Sequence, residues 1–335
     1  MLYITTRDNK DAYTAHKALT ETNGPDGGRF VPFRLPEIAA EELSALTEKS
    51  FGQIVADVLN LFFSLRLTGW DVDCCIGRTP VKLISMNHKI LVAELWHNLE
   101  GKYEYLVTSL YKTVPGFTEF CNVPTDWFRI AVRIAVLFGL YGEMLRMQSI
   151  SIGECFDISV STGDFSVPMA AWYSRKMGLP INTIICTHEE DSTAWDLIHR
   201  GAFNPSTAEA GLCSGVERLI HATCGIDAVQ GYLNKIQVGR MYSVGEESQK
   251  CISAGFFCSV AGKNRADTVI NSVFRTNQYL IDPDTALHYG GLQDFRAKSG
   301  DSRITILLSE CTPMEHIQQI SAATGIPADK LPEPV

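Results

Sequence analysis

Residues 159–180, SVSTGDFSVPMAAWYSRKMGLP, join the end of an apolar strand, a turn that contains glycine and the start of a helix. Pro168 suits the first turn of a helix, and Gly178 with Pro180 ends it. The free amides and the dipole at a helix N-terminus attract anions. The stretch therefore has two interpretations, a phosphate-binding turn at 161–166 or an ordinary strand-to-helix connection. A single glycine does not decide between them.

Strands and helices alternate through the rest of the chain. The apolar patterns predict strands at 2–6, 81–84, 90–96, 156–160, 181–186 and 303–308. They predict helices at 11–19, 36–48, from Ser50 to Phe63, at 103–111, 127–147, 167–177 and 191–200, several between 213 and 278, and at 284–296 and 313–323. Such alternation predicts an α/β fold, a parallel-sheet core with helices on both faces.

Composition excludes several classes of protein. With 335 residues, 45% of them hydrophobic and 20% charged, the chain is globular and large enough for two domains or one large α/β unit. A net charge of -9 argues against nucleic acid and against an anionic membrane as partners. No signal-peptide pattern or membrane-length apolar run occurs, so we expect a cytoplasmic protein.

The ten cysteines and eight histidines are scattered. They form no C-x-x-C pair and no H-E-x-x-H motif, which are the spacings typical of metal sites. We therefore expect buried structural thiols and no metal site.

Several segments, in the same order along the chain, resemble the threonine synthases, pyridoxal-phosphate (PLP) enzymes of the tryptophan-synthase β fold, also called fold type II. They cover nearly the whole sequence in discontinuous blocks. The blocks are MLYITTRDN at 1–9, TPVKLISMNHKILVAELWH at 79–97, STGDFSVPMAAWYSRKMGLPINTIICTHEEDSTAWDLIHRGAFNPS at 161–206, GVERLI at 215–220, YLIDPDTALHYGG at 279–291 and LLSECTPMEHIQQISAATGIPADKLPE at 307–333.

The resemblance implies a phosphate site for PLP in the turn. It would consist of Thr162, Gly163, Asp164, Phe165 and Ser166. Asp164 replaces an asparagine usual in the family, and Ser166 replaces a glycine. A carboxylate beside a phosphate is repulsive, and serine has fewer backbone conformations than glycine.

The resemblance also implies that Lys102 forms an imine with the PLP aldehyde and that Ser309 or Thr312 meets the pyridine nitrogen. Lys102 aligns with the cofactor lysine of the family only if this sequence has a two-residue deletion before it. The alternatives are a solvent-facing lysine between two glutamates, and a helix cap formed by Thr312 before Pro313.

The chain departs most from the family between the lysine and the long helix at 127–147. The family has a small mobile subdomain there, whereas residues 113–124 fill the gap here. We expect an N-terminal α+β domain at 1–78 and a threonine-synthase-like core at 79–335, a shortened and divergent member of the family without the small cofactor-side subdomain. Closure of that subdomain excludes water in enzymes of this kind.

Three interpretations of function remain open. The first is a PLP-dependent lyase or replacement enzyme that acts on an activated amino acid. The second is a cofactor-free pseudoenzyme that binds a small amino-acid-like molecule. The third is a non-catalytic subunit. We also expect a homo-oligomer, or a partner protein that covers the face left by the missing subdomain.

Overall fold

The computed structural model describes residues 1–76, 81–87, 89–113, 123–163, 165–188, 193–203, 213–260, 262 and 264–334. The strands in these ranges are β1 (Leu2–Thr5), β2 (Tyr13–Thr14), β3 (Phe30–Pro32), β4 (Lys82–Asn87), β5 (Ile90–Glu94), β6 (Phe156–Ser161), β7 (Ile181–His188), β8 (Ala202–Phe203), β9 (Tyr242–Ser243), β10 (Phe256–Val260) and β11 (Thr305–Ser309).

The α-helices are α1 (Ala15–Thr20), α2 (Ala40–Ser44), α3 (Phe51–Phe63), α4 (Gly69–Ile76), α5 (Tyr103–Thr113), α6 (Asp126–Arg146), α7 (Ser166–Lys176), α8 (Thr193–Arg200), α9 (Ser214–Cys224), α10 (Ile226–Gln237), α11 (Glu246–Ser253), α12 (Arg265–Asn277), α13 (Pro283–Ser299) and α14 (Ile317–Thr324). Short 3-10 helices lie at Ala45–Glu48, Pro313–His316 and Ala328–Lys330.

A six-stranded sheet forms the centre, in the order β10-β7-β6-β11-β5-β4. β4 runs antiparallel to β5, and the other neighbouring strands are parallel. β11 comes last in the chain and pairs with both β6 and β5. The carboxyl ends of β5, β6, β7 and β11 therefore lie along one edge of the sheet. This mostly parallel sheet confirms the predicted α/β fold class.

Both faces of the sheet are buried, because alternate side chains of a strand point to opposite faces. In β11, Ile306 and Leu308 belong to a large apolar cluster that also contains α3, α6 and α7. Leu307, between them, packs into a second cluster built mainly from α12 and α13. The sheet is therefore the middle of three layers.

Helix α6 is a long, largely buried helix of the first cluster. Sixteen of its residues are buried, and it packs against α3 and α7. Ser50 caps α3, as predicted, by accepting a hydrogen bond from the amide of Gln53 at 3.1 Å. No helix within the described ranges has both the length and the apolar character needed to cross a bilayer.

A buried carboxylate, that of Glu217, accepts hydrogen bonds from the segment that follows the first strand of the N-terminal sheet. β1 pairs antiparallel with β2 and β3, and the chain leaving β1 reaches Glu217 on α9. The Arg7 guanidinium donates two hydrogen bonds of 3.0 Å to Glu217, and the Thr6 hydroxyl donates another. Because the Glu217 side chain is fully buried, these donors are needed to stabilise its charge.

Three predicted elements differ from the structure. Between 213 and 278 only helices were expected, but Phe256–Val260 forms β10, the edge strand beside β7. The apolar FFCSV run after Gly255 is a strand pattern that the helical interpretation missed. Helix α1 begins at Ala15 rather than 11, because Thr14 caps it. The helix expected at 36–48 begins only at Ala40.

The predicted boundary at 78/79 and most of 113–124 lie outside the described residues, so the proposed division into domains stays a prediction. Helix α5 ends at Thr113 and α6 begins at Asp126.

Gly139 allows α6 to approach α3 closely. A β-carbon at Gly139 would lie 2.6 Å from the buried Phe51 ring. We expect Gly139→Ala to lower the free energy of unfolding by about 1–2 kcal/mol, because overpacking costs more than the gain in helix propensity. The measurement is urea unfolding followed by circular dichroism.

The matched control is Gly231→Ala in α10, where an added β-carbon meets no atom within 4 Å. It should raise stability by about 0.5–1 kcal/mol. Equal effects of the two substitutions would contradict the close packing of α6 against α3.

Candidate functional site

The carboxyl edge of the sheet carries a small cavity beside the N-terminus of α13. Ligands of parallel α/β sheets bind at this edge, so the cavity is the candidate site. Its volume is about 90 Å³. The lining residues are Ser161, Val167, Asp282, Asp284, Thr285, His288, Leu308, Glu310 and Cys311. The flanks of the predicted phosphate turn and the end of β11 therefore lie together.

The turn itself is partly closed by its own hydrogen bonds. The Thr162 hydroxyl donates to the Thr187 carbonyl at 3.3 Å, and the Phe165 amide donates to the Thr162 carbonyl at 2.5 Å. Phe165 has a left-handed φ of 63° and a fully buried ring that packs against Phe256 at 5.9 Å. The predicted position Asp164 lies outside the described residues.

Other positions of the turn keep features of an anion site. Gly163 has a φ of +36°, and a β-carbon there would meet Ser161 Oγ only at 3.9 Å. Ser166 is the buried first residue of α7. The helix N-terminus is therefore present, while the Phe165 amide is already used inside the turn. An anion there would compete with the internal hydrogen bond.

Lys102 lies near the same edge of the sheet. Its backbone pairs with Cys311, and its Nζ lies 2.9 Å from Glu315 Oε1 with 48% of the side chain exposed. The hydrogen bond to Glu315 raises the pKa of Lys102. An imine forms from the unprotonated amine, so this pairing opposes the predicted role. That role stays a prediction.

Ser309 is buried and fully hydrogen-bonded. Its hydroxyl donates to Asp282 Oδ2 at 2.8 Å and accepts from the Trp96 indole at 3.2 Å. Thr312 caps the following 3-10 helix, and its hydroxyl accepts from the Met314 amide at 3.4 Å. The cap expected as the alternative for Thr312 is confirmed, and contact of either hydroxyl with a pyridine nitrogen stays a prediction.

The cavity is acidic. Asp282 caps α13 by accepting from the Thr285 amide at 3.0 Å, and Glu310 is paired with Arg133 at 2.5 Å. Asp284, in the first turn of α13, is exposed and makes no hydrogen bond or ion pair with the described part of the chain. One carboxylate at the cavity therefore has no partner among the described residues.

His288 lies one turn after Asp284 and is 5% exposed. Burial lowers the pKa of His288, and the charges of Asp282 and Asp284 only partly oppose this effect. Its Nδ1 is buried without a hydrogen-bond partner in the described chain. At neutral pH the cavity therefore combines a neutral imidazole with negative charge.

Glu94, at the end of β5, is another buried carboxylate, and sequence reasoning missed it. Its side chain lies 2.6 Å from His97 Nε2 and accepts a 2.7 Å hydrogen bond from the Tyr279 hydroxyl. Burial and Glu94 raise the pKa of Tyr279. Asp282, Asp284 and His288 were also missed, although their spacing in DPDTALH places Asp284 and His288 on one helix face.

Cys311, Glu315 and His316 have ligand atoms within 4.8 Å of one another. Burial and Glu315 raise the pKa of the Cys311 thiol to about 12, so the thiolate form needed for metal binding is disfavoured. Glu315 already binds the Lys102 ammonium. The chemistry of this cluster does not suit a cation.

The chain resembles threonine synthases in sequence. Residues 2–79 match the family model described as threonine synthase N terminus. Threonine synthase-like 1 from Pongo abelii and from Homo sapiens are each 23% identical over 175 residues. That alignment covers 48% of this chain and 23% of the relative. The matched part thus spans about a quarter of these relatives' length.

Solved structures give the same fold. PLP-bound threonine synthase from Brucella melitensis has a TM-score of 0.79 at 18% identity, covering 97% of this chain and 92% of that chain. Threonine synthase from yeast also has a TM-score of 0.79, at 14% identity, covering 97% and 90%. Such identities establish the fold alone. Together with the N-terminal match they confirm the resemblance to threonine synthases.

Two histidines with lowered pKa values predict that stability falls in mild acid. Burial lowers the pKa of both His288 and His221, so the unfolded chain takes up these protons first as the pH falls. Their contribution is complete above about pH 6.5 and is lost as the pH falls from there toward the folded pKa values. Urea unfolding at pH 7.5 and 5.5 measures the change.

In His288→Gln the loss between these two pH values should be smaller, by at most about 1.4 kcal/mol per pH unit. His16→Gln, which removes an exposed histidine, should keep the wild-type loss. The same loss in His288→Gln as in the wild type would contradict a buried neutral His288.

Proposed function

We propose that this threonine-synthase-like protein works without PLP and binds the ammonium group of a small amino-acid-like molecule in the reduced cleft. The observation that carries the proposal is the cavity of about 90 Å³, whose lining contains Asp282, Asp284 and Glu310. Its size and its charge both differ from what PLP requires.

Size is the first argument. Pockets that hold cofactors and drug-sized ligands have volumes of roughly 300–1,000 Å³. The cavity at the carboxyl edge has about 90 Å³, which is room for one small group. Ser309, between the lining residues Leu308 and Glu310, already donates to Asp282. The described residues therefore do not fit a pyridine ring in this place.

Charge is the second argument. A phosphate dianion would enter a site with the unpaired Asp284, and Asp164 is part of the turn sequence itself. The amide of Phe165 is used by Thr162. Lys102 is held as an ammonium ion by Glu315. Each of these features opposes one of the contacts that PLP would need.

An ammonium ion suits the same surroundings. The unpaired Asp284 carboxylate offers an ionic acceptor, and a neutral His288 offers a nitrogen lone pair. Charge-assisted hydrogen bonds of this kind are stronger than neutral ones. A primary amine with a short substituent therefore matches the cavity better than an anion does.

The PLP-dependent lyase remains the second candidate, because the fold matches a structure described as PLP-bound threonine synthase. A homo-oligomer or a covering partner also stays a proposal. It is supported by the exposed apolar side chains Leu99 and Met314, which belong to the two segments joined at Lys102 and Cys311.

PLP binding separates the two candidates. We expect that protein mixed with equimolar PLP and passed through a desalting column keeps no visible absorbance band. Borohydride treatment followed by peptide mapping should label Lys102 no more than Lys10, another exposed lysine. A retained stoichiometric band that disappears in Lys102→Arg would establish the cofactor enzyme and refute the proposal.

A second experiment tests whether the cavity binds an amine. Isothermal titration with ethylamine should show saturable binding, whereas acetate should show none. Asp284→Asn should weaken ethylamine binding about tenfold or more, since one ionic partner is lost. Asp329→Asn, at an exposed position near the C-terminus, is the control. Equal affinity in the two variants, or no ethylamine binding, would overturn the assignment of this cavity.

A further inference from the structure

A second and larger pocket lies between the N-terminal segment and helices α7 and α9. Its volume is about 370 Å³, within the range of small-molecule sites. One wall comes from residues 31–37, and the others come from Trp172, Lys176 and His221. It shares no lining residue with the cavity at the carboxyl edge.

The segment that forms the first wall is held at both ends. The Phe33 amide donates to the Leu2 carbonyl at 3.0 Å, and the Ile38 amide donates to the Met177 carbonyl at 2.8 Å. Below it, the fully buried Arg218 donates to the Phe30 carbonyl at 3.3 Å. The wall is therefore pre-organised, which lowers the cost of binding.

Three charged side chains line the pocket, and none of them has a charged partner in the described part of the chain. Within the described chain, Arg34 and Glu37 are exposed and make no hydrogen bond or ion pair. The Lys176 ammonium lies 5.3 Å from the centre of the Trp172 ring. Burial lowers the pKa of His221, so that imidazole is neutral at pH 7. The pocket thus offers two cations and one carboxylate.

The remaining lining is apolar. Val31 and Trp172 are 3% and 8% exposed, and Leu35 lies beside them in the wall. Desolvated apolar surface next to charges of both signs matches a zwitterion with an apolar substituent. A simple anion would leave Glu37 unpaired, and a simple amine would leave Arg34 and Lys176 unpaired.

We propose that this pocket binds a free amino acid with a large apolar or aromatic side chain. The α-carboxylate lies between Arg34 and Lys176, the α-ammonium is bound by Glu37, and the side chain packs against Val31, Leu35 and Trp172. This inference is independent of the proposed function, because the two sites are built from different residues.

The test is isothermal titration of the full chain with L-phenylalanine and with two analogues that each lack one charge. We expect L-phenylalanine to bind at least about tenfold more tightly than 3-phenylpropionate, which lacks the ammonium, or phenethylamine, which lacks the carboxylate. If 3-phenylpropionate bound as tightly as L-phenylalanine, the pocket would bind anions only and the proposal would be wrong. Absence of L-phenylalanine binding at millimolar concentration would also overturn it.

Variants assign each contact. Glu37→Gln should weaken L-phenylalanine and phenethylamine about tenfold and leave 3-phenylpropionate unchanged. Arg34→Gln should weaken L-phenylalanine and 3-phenylpropionate and leave phenethylamine unchanged. Lys235→Gln, at an exposed position of α10, is the control for a general loss of positive charge. If Glu37→Gln weakened all three ligands alike, the ammonium contact would be wrong.

Discussion

Burial of both faces of β11 is the constraint on which the structure depends. This strand is the last of the sheet to be synthesised and still lies between β6 and β5. Ile306 and Leu308 pack into one apolar cluster, and Leu307 packs into the other. Because a parallel sheet exposes apolar side chains on both faces, helices must cover each of them. The three-layer arrangement and the common carboxyl edge both follow.

The preserved sheet and the altered edge are governed by different forces. Apolar packing tolerates extensive substitution when volume and pattern are kept, which is consistent with a TM-score of 0.79 at 18% identity. A binding site depends on a few polar atoms. At this edge Ser309 is hydrogen-bonded to Asp282 and Trp96, and Lys102 forms an ion pair with Glu315. A fold can therefore persist while its site accepts a different chemistry.

Local signals in the sequence were sufficient for much of the fold. The strand, glycine and helix at 159–180 predicted β6 and α7, and Ser50 predicted the start of α3, since caps and breakers act over a few residues. The partner of Lys102 is Glu315, and Ser309 is hydrogen-bonded to Asp282 and Trp96. Such contacts between distant segments form only in the folded chain. Strand β10 was missed because its five residues follow a helical region without a long break.

The ion pair between Arg7 and Glu217 also has a consequence for the order of folding. The two residues are 210 positions apart, and the Glu217 side chain is fully buried. On the ribosome, the N-terminal sheet emerges long before α9 and cannot close this contact until α9 is made. Residues 1–78 therefore lack a completing interaction during synthesis, and they depend on the later part of the chain for their final stability.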